Sequence, residues 1–330
     1  MKPKYFIGVD ISKLTLDIAV LHAKDPILSF KIENSQVEVK QFLTEIKKAY
    51  GFKNKEVAFC AEHMGIYANF LLDVLNKKKI PVYLESPLRI KRSLGIIRGK
   101  NDRIDAIRIA SYAKKNYQTM KVWQPQRECI EQLKRLYTIR KRLVKIKTML
   151  TNNEKDTSYY LTKTEADNIS ENYSVSKMAI KLDINNIEEK MLSIIQADDK
   201  LKRLFEVITS VPCIGKVIAT ILIVQTNEFL DFDDAKHFAS FCGIAPFEYS
   251  SGTSVRGKTK VSYLANKEIK KMLHIAVLGL LRNPKHFLTR YYLRKIDEGK
   301  HKMSVFNAMR NKLLSRVFAC VRNDKVFKEI

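Results

Sequence analysis

The sequence predicts a mixed α/β first portion followed by a mainly helical remainder. Short β-type runs alternate with amphipathic helical stretches through the first 85 residues, whereas heptad-spaced apolar residues characterise the middle of the chain. The 330 residues include only 11 glycines and 8 prolines, which favours long helices. Because a chain of this length exceeds an ordinary single domain, we expect two or three domains with a sizeable core.

The first three β-type runs follow one another closely. YFIGVDI (5–11) and LTLDIAVL (14–21) are separated by Ser12 and Lys13, which indicates a hairpin, and PILSFKIE (26–33) can pair as a third strand. The next predicted elements are a helix at about 36–50, a strand at 55–62, a helix at about 66–78 and a strand at 80–85. Three consecutive strands followed by βαβ crossovers form a mixed sheet with helices on its faces, an order that fits the RNase H-like fold.

Four acidic residues can converge beside this sheet. Asp10 lies midway along the first strand and Glu62 ends the fourth, so their carboxylates can meet at one edge if those strands are adjacent. Asp102 and Asp105 occupy the first turn of the next helix, where their i,i+3 spacing places both on one face. Such a cluster would repel itself without a cation, and Mg²⁺ prefers these hard oxygen ligands. Two ions about 3.5–4 Å apart could hold the attacking and leaving oxygens of a phosphodiester.

A purely structural role is the alternative for the helical pair. Asn101 is a good N-cap, and the helix dipole favours acids such as Asp102 and Asp105 in the first turn. Glu62 alone says little, because strands often end in acids. Asp10 is harder to explain structurally, since burying a carboxylate without a partner is costly. The four acids together therefore indicate a site more specifically than any one of them.

The charge balance indicates a polyanionic partner. Lys and Arg number 60 against 35 Asp and Glu, giving a net charge of +25, which favours nucleic acid over a membrane surface or the ribosome. The five cysteines show neither a disulfide pattern nor zinc-ligand spacing, as expected in a reducing cytosol. No signal peptide or bilayer-length apolar run is apparent, so we expect a soluble intracellular protein.

The middle of the chain has a heptad pattern interrupted by a polar segment. A basic helix over 126–153 carries an apolar seam, a polar stretch at about 156–175 breaks it, and the seam then resumes. The seam residues are Leu136, Ile139, Leu143, Ile146 and Leu150, then Ile180, Ile184, Ile187, Met191 and Ile194. This predicts an antiparallel coiled-coil hairpin or a dimerising element, with ordinary bundle helices as the alternative. The basic outer face, including Arg135, Arg140, Lys141 and Arg142, suits a phosphate backbone.

The C-terminal third carries two further signals. SVPCIGKVIATILIV (210–224), which contains Lys216, resembles a helix-hairpin-helix turn whose helix N-terminus can face phosphate. Downstream, Ser250 and Ser251 precede a basic run formed by Arg256, Lys258 and Lys260. Serine needs activation or charge neutralisation of its target to act as a nucleophile, and this run supplies positive charge. A flexible turn is the alternative for SSGTS.

The joint order of several motifs resembles the DEDD-type insertion-sequence transposases of the IS one-ten family, relatives of the Piv invertase. The motifs are GVDISK (8–13), AEHMGIY (61–67), GKNDRIDA (99–106), VPCIG (211–215), GIAPFEYSSG (243–252) and NAMRNKLLSRVFACV (307–321). The resemblance implies a RuvC-like N-terminal domain over 1–123, a coiled-coil segment over 124–200 and a C-terminal transposase domain over 201–330. It also implies a prokaryotic, nucleoid-associated cytoplasmic protein that acts as a homodimer or homotetramer.

The resemblance also assigns roles to residues. It implies that Asp10, Glu62, Asp102 and Asp105 bind Mg²⁺ as two ions and that Ser251 is the nucleophile. Spacing alone leaves Ser250 and Tyr249 open for that role. The family's usual KTD is Lys100, Asn101 and Asp102 here, so the metal set is intact. The resemblance further implies a structured noncoding guide RNA that pairs with the element ends and target, which are double-stranded DNA. Lys100 and Arg103 are expected to contact nucleic acid.

Other classes explain fewer of these features. A RuvC-like junction endonuclease would use the four acids with water as nucleophile, but it would leave the C-terminal third without a role. A sugar-kinase or actin-like fold also begins with a G-x-D strand, yet it needs Gly-rich phosphate loops that this chain lacks. A non-catalytic nucleic-acid-binding protein would explain the charge and not the acids. Together with the family resemblance, these features predict a DNA recombinase that excises and inserts its own element.

Overall fold

The computed structural model describes residues 3–22, 28–93, 101–251, 255–262 and 264–328. The chain divides into two compact units, Met1–Pro125 and Gln126–Ile330. The helices predicted to form a separate middle domain lie within the second unit. The three-way division at 123 and 200 therefore stays a prediction.

A five-stranded mixed sheet organises the first unit. Its strands are β1 (Tyr5–Ile11), β2 (Thr15–His22), β3 (Leu28–Glu33), β4 (Val57–Glu62) and β5 (Val82–Glu85). The order is β3-β2-β1-β4-β5, with β1, β2 and β3 antiparallel and with β4 parallel to both β1 and β5. The predicted hairpin is present, because the Ser12 amide donates to the Thr15 carbonyl at 3.0 Å. The prediction of a mixed sheet is confirmed.

Helices cover both faces of this sheet. They are α1 (Gln36–Tyr50), α2 (Asn69–Lys77), α3 (Pro87–Ser93) and α4 (Asp102–Asn116). Residues of α1 and α2 form one core with alternate strand residues such as Ile7 and Val9. Residues of α4 pack with the intervening positions, such as Phe6 and Cys60, on the opposite face. Strand alternation thus sends the side chains at even-numbered positions of β1 and β4 toward α4.

Two long helices begin the second unit. The predicted break at 156–175 is wrong, because most of that segment is helical. α5 spans Glu128–Tyr160 and α6 spans Lys163–Gln196, so only two residues connect them. Thr162 and Glu165 form a capping box, in which a Glu165 carboxylate oxygen accepts from the Thr162 amide at 3.0 Å. Glu154 also accepts from Lys177 at 2.7 Å across the hairpin. These polar contacts help to stabilise the helices in a segment that lacks an apolar periodicity.

The remaining helices of the second unit share one core with residues near the start of α5 and the end of α6, and two strands complete the unit. They are α7 (Asp199–Thr209), α8 (Lys216–Thr226), α9 (Ala235–Phe241), β6 (Pro246–Ser251), β7 (Val255–Val261), α10 (Lys267–Leu280), α11 (Phe287–Asp297) and α12 (Lys302–Asn323). Strands β6 and β7 form an antiparallel pair of their own. In the described part of the chain, no helix has the length and apolarity that a bilayer crossing requires.

Candidate carboxylate site and serine hairpin

One charged residue from each strand lies in a single row across the sheet of the first unit. The row is Lys31, Asp17, Asp10, Glu62 and Glu85, in the order of the strands. Asp17 pairs with Lys31 and with Asp10, and Glu62 pairs with Glu85. The β1–β4 register reaches Val9 and Ala61. Continued by one residue, this register aligns Asp10 with Glu62.

Helix α4 crosses this row with its N-terminal end near Asp10. An ideal Cβ on Gly8 would come 2.2 Å from the Ala106 carbonyl oxygen, so α4 and β1 are in direct backbone contact there. Farther from Asp10, Phe6 shares a cluster with Ile109 and Ala113. The helix therefore runs antiparallel to β1. Its first turn, with Asp102 and Asp105, lies toward the Asp10 end of the strand.

The outer members of the row have basic or hydroxyl partners. Lys31 Nζ lies 3.5 Å from Asp17 Oδ2, and both Asp17 and Glu85 are buried. Glu85 accepts from Arg89 Nη1 at 3.2 Å and from the Tyr112 hydroxyl at 2.6 Å. Burial, together with the Glu85 hydrogen bond, raises the pKa of Tyr112 to about 12. These contacts fix the two ends of the row.

The Cys60 thiol lies near the carboxylates of Glu62 and Glu85, and their charges affect its pKa. Cys60 is fully buried on β4, two residues before Glu62. Burial is the main cause that raises the pKa of Cys60 to about 12, and the charges of Glu85 and Glu62 add to it. This end of the row is therefore an electronegative part of the sheet face, which suits a cation.

The four predicted metal ligands differ in their surroundings. Asn101 caps α4 as predicted, because its Oδ1 accepts from the Arg103 amide at 2.9 Å. Asp102 is exposed, whereas Asp105 accepts from Arg108 Nη1 at 2.7 Å. Across the described ranges, no group of three or more His, Cys, Asp or Glu residues is arranged to hold a metal ion. The donor chemistry still fits Mg²⁺, since all four residues supply hard carboxylate oxygens.

The candidate nucleophiles lie at the end of a strand in the second unit. Ser250 pairs with Arg256 and Ser251 with Val255, so both serines belong to the strand pair. The interpretation of SSGTS as a flexible turn is therefore wrong for Ser250 and Ser251. Residues 252–254, which follow Ser251, lie outside the described residues. The register shifts between Phe247 and Tyr249, an irregularity of the kind that often occurs beside active sites.

The base of this hairpin is fixed by three contacts. Asn307 Nδ2 of α12 donates to the Ile244 carbonyl at 2.6 Å, just before β6 begins. After β7, the Asn266 amide donates to the Phe241 carbonyl at 2.9 Å. Gly243 has a φ of +63°, and an ideal Cβ there would come 2.3 Å from Ala265 Cβ. The serine-bearing strand thus starts from a rigid support.

The residues predicted to contact nucleic acid fall into three groups. Exposed side chains include Arg103, Arg135, Arg142, Lys216 and Lys260. Lys100 lies outside the described residues, and Arg256 and Lys258 lie on β7.

Two further predicted contacts are already paired within the second unit. Arg140 donates to Glu188 at 2.6 Å, and its side chain is only 17% exposed, so its placement on the outer face of the hairpin is wrong. Lys141 bonds Glu268 at 2.6 Å. Nucleic acid would therefore have to compete with a carboxylate at both positions.

Asp17 and Glu85 are row members that the sequence interpretation missed. Asp17 sits inside an apolar strand, as Asp10 does, and Glu85 ends β5 as Glu62 ends β4. The signals used for Asp10 and Glu62 were therefore present for this second pair as well.

Comparisons with known proteins match both units. A family model described as a transposase matches residues 7–157, and one described as the transposase IS116/IS110/IS902 family matches residues 205–292. The pilin gene-inverting proteins of Moraxella bovis and Moraxella lacunata are each 26% identical over 98% of this chain and 98% of their own. The insertion element IS110 uncharacterized 43.6 kDa protein of Streptomyces coelicolor is 28% identical over 37% of this chain and 30% of its own length.

Solved structures similar to the chain include two of RuvC. T. thermophilus RuvC in complex with a Holliday junction substrate gives a TM-score of 0.28 at 15% identity, covering 36% of this chain and 98% of that one. A second Thermus thermophilus RuvC structure gives 0.27 at 14% identity with the same coverage. The family models, which together match most of the chain, show that it belongs to the IS110 family of transposases and is a DNA recombinase.

Proposed function

We propose that this transposase excises and inserts its own element by means of a magnesium-binding carboxylate set and a serine nucleophile. The observation that carries the proposal is the alignment of Asp10 with Glu62 beneath the helix that begins with Asp102 and Asp105. These four residues would hold Mg²⁺. When bound, the metal would supply positive charge that orients a DNA phosphodiester and offsets its developing negative charge.

The protein's own contribution to this site is rigidity. Asp10 and Glu62 extend from adjacent strands of a sheet that is covered on both faces. The backbone contact at Gly8 fixes the position of α4, and with it the carboxylates of its first turn. Asp105 would exchange its bond with Arg108 for the cation.

Ser251 would carry out the covalent step. Its hydroxyl oxygen attacks phosphorus, so a serine–phosphate bond forms while the bond from phosphorus to one deoxyribose oxygen breaks. The serine proton passes to a base, and the departing deoxyribose oxygen takes up a proton. The number of phosphate ester bonds stays constant, so the strand can be rejoined without nucleotide hydrolysis. Its place at the end of β6, before the basic strand β7, supports this role.

The acids and the serine lie in different compact units, so the site could be completed between two protomers. The α5–α6 hairpin would supply the dimer contact as a coiled coil, in a homodimer or homotetramer. Three apolar side chains on α5 support this assignment: Ile139 is 46% exposed, Ile146 is 45% exposed and Met149 is 62% exposed. A structured guide RNA would bind basic residues such as Arg135 and Arg142, which are exposed on the same helix.

A junction endonuclease that uses water is the second candidate function. It is favoured by the fact that all four acids lie in the first unit, apart from the serine hairpin. Such an enzyme would leave free DNA ends, whereas a serine recombinase would leave a covalent protein–DNA adduct. The two functions therefore differ in a directly measurable product.

The experiment that tests the proposal traps this adduct with Mg²⁺ and a DNA carrying the element ends. Mass spectrometry of the adduct should find phosphate on Ser251. Ser251→Ala should lose both adduct and recombination, while the adjacent Ser250→Ala serves as the matched control and keeps both. An adduct on Tyr249, or recombination by Ser251→Ala, would remove the serine mechanism and favour the endonuclease.

A further inference from the structure

Three basic side chains lie close together between α10 and α12 in the second unit. They are Lys270 and His274, one turn apart on α10, and Arg310 on α12. Among the described residues, none of the three forms an ion pair with a carboxylate. The nearest acid on α10, Glu268, is bonded to Tyr137 and Lys141 of α5. The cluster therefore has positive charge that no carboxylate of the described residues neutralises.

Arg310 is the most unusual member of this cluster. It is only 5% exposed, and its one hydrogen bond within the described part of the chain runs from Nε to the Phe306 carbonyl at 3.2 Å. That carbonyl belongs to its own helix and neutralises no charge. A buried guanidinium normally has a carboxylate or phosphate partner, because removing its charge from water is costly.

Neighbouring polar atoms are also unsatisfied. Within the described residues, His274 Nδ1 and Asn307 Oδ1 are buried and have no hydrogen-bond partner. The Phe306 ring stands edge-on to His274 at 5.3 Å, which ties the histidine to the helix that bears Arg310. Burial lowers the pKa of Arg310, and burial followed by the Arg310 charge lowers the pKa of both Lys270 and His274. An anion bound among the three groups would relieve these costs.

The cluster lies at the base of the serine hairpin. Asn307, one turn before Arg310, donates to the Ile244 carbonyl two residues before β6, and α10 is the next helix after β7. Strand β6 has six residues, so Ser251 lies at most about 17 Å along it from Pro246. DNA rises about 3.4 Å per base pair. The length of this strand corresponds to about five base pairs, which is compatible with one duplex contacting both Ser251 and the cluster.

We propose that Lys270, His274 and Arg310 form a phosphate-binding pocket that holds a backbone phosphate of the DNA, a few nucleotides from the one that Ser251 attacks. The guanidinium of Arg310 would bind two phosphate oxygens, and Lys270 would add a second charge. The choice of DNA rests on the proposed function. The anion chemistry rests on the three side chains alone, so the two parts can fail separately.

The first test measures thermal unfolding of the full-length protein in sodium phosphate and in sodium chloride at equal ionic strength. Phosphate should raise the wild-type Tm by about 2–4 °C over chloride. Arg310→Met should lose this increment, and its Tm in chloride should equal or exceed that of the wild type, because a buried charge without a counter-ion has been removed. If Arg310 had only a structural role, its replacement by Met would instead lower the Tm in chloride.

Arg316→Met is the matched control for that test. Arg316 lies on the same helix, but its guanidinium stacks at 4.1 Å on the Phe287 ring. This variant should have a lower Tm in chloride and keep the phosphate increment. An equal increment in wild type and Arg310→Met, or no increment in the wild type, would overturn the pocket.

The second test asks whether the anion belongs to DNA. Lys270→Gln, which changes a partly exposed residue and should fold normally, is compared with the wild type for binding to a 30-base-pair duplex across a salt series. In a plot of log affinity against log salt concentration, the magnitude of the negative slope should be about one unit smaller for Lys270→Gln. An unchanged slope, with the phosphate increment present, would assign the pocket to free phosphate and overturn the DNA part. If no serine adduct forms but both tests succeed, only the recombination mechanism fails.

Discussion

Gly8 of β1 and Ala106 of α4 are in backbone contact. A Cβ on Gly8 would come 2.2 Å from the Ala106 carbonyl oxygen and 2.3 Å from the Ala110 amide nitrogen. Both obstacles are backbone atoms, so no side-chain rotation can make room. The same contact determines how close the first turn of α4 lies to Asp10. Glycine at this position thus sets the separation between the two parts of the proposed carboxylate site.

Gly8→Ala should therefore push α4 away from the sheet. We expect a loss of about 2–3 kcal/mol in the free energy of unfolding, measured by urea denaturation. DNA cleavage should fall further than DNA affinity, because the helical acids move relative to Asp10. Gly279→Ala is the control, since its Cβ would meet only Cys213 Sγ at an ordinary 3.5 Å. Equal stability of the Gly8 and Gly279 variants would contradict the close contact.

Asp102→Asn and Asp105→Asn should each lower DNA strand cleavage by about 100-fold or more, because each removes a carboxylate charge from the metal set. Fold and DNA affinity should change little, since both residues lie in the first turn of α4 and outside the core. Glu38→Gln, an equivalent change in the first turn of α1, should keep full cleavage. Gel assays with Mg²⁺ measure the rates. Full cleavage by both aspartate variants would refute the metal assignment.

Tyr112→Phe should change how stability depends on alkaline pH. The folded-state pKa of Tyr112 is raised to about 12, whereas an unfolded tyrosine titrates near 10. The folded state thus retains the proton more tightly, so this stabilisation is complete below about pH 10 and is lost as the pH rises toward 12.

The variant should be less stable than the wild type at pH 7 by about 2 kcal/mol, because Glu85 loses its hydroxyl donor. The difference should shrink between pH 10 and 12 in urea unfolding experiments. Tyr159→Phe, which alters an exposed ring, should follow the wild-type profile. A constant gap between Tyr112→Phe and the wild type at all pH values would contradict the raised pKa.

DNA affinity should fall steeply with salt. A net charge of +25 allows many lysine and arginine contacts with phosphate, and each contact releases counterions. With six or more contacts, affinity should drop about 10³-fold between roughly 50 and 200 mM salt. Fluorescence anisotropy with a duplex of fixed length measures this slope. A flat response would contradict a binding surface built on phosphate contacts.

Local patterns predicted the sheet well because its strands carry their signals within a few residues. The predicted helix at 36–50 and the first strand match the observed bounds, and Asp10 and Glu62 lie on neighbouring strands as expected. Asp17 and Glu85 carried the same local signals as Asp10 and Glu62, but the pairing of Glu85 with Glu62 depends on the register between distant segments. The cluster around Arg310 was missed because α10 and α12 meet only in the folded core.

The polar residues between α5 and α6 were misjudged for a different reason. Apolar periodicity detects helices that bury a face, whereas residues 163–175 form a helix with little burial. The capping box at Thr162 and the Glu154–Lys177 pair across the hairpin support this helix. A Thr followed three residues later by Glu was the available sequence signal.

The two-residue turn at Leu161 and Thr162 limits how this protein can change in length during evolution. Helices α5 and α6, the two arms of the hairpin, are each about 50 Å long. A turn this short does not allow one arm to shift along the other. An insertion in one arm would shift every later cross-hairpin pair, including Arg140 with Glu188. Viable insertions or deletions should therefore occur in both arms together, in steps of seven residues. The hairpin then behaves as a spacer whose length varies in discrete increments.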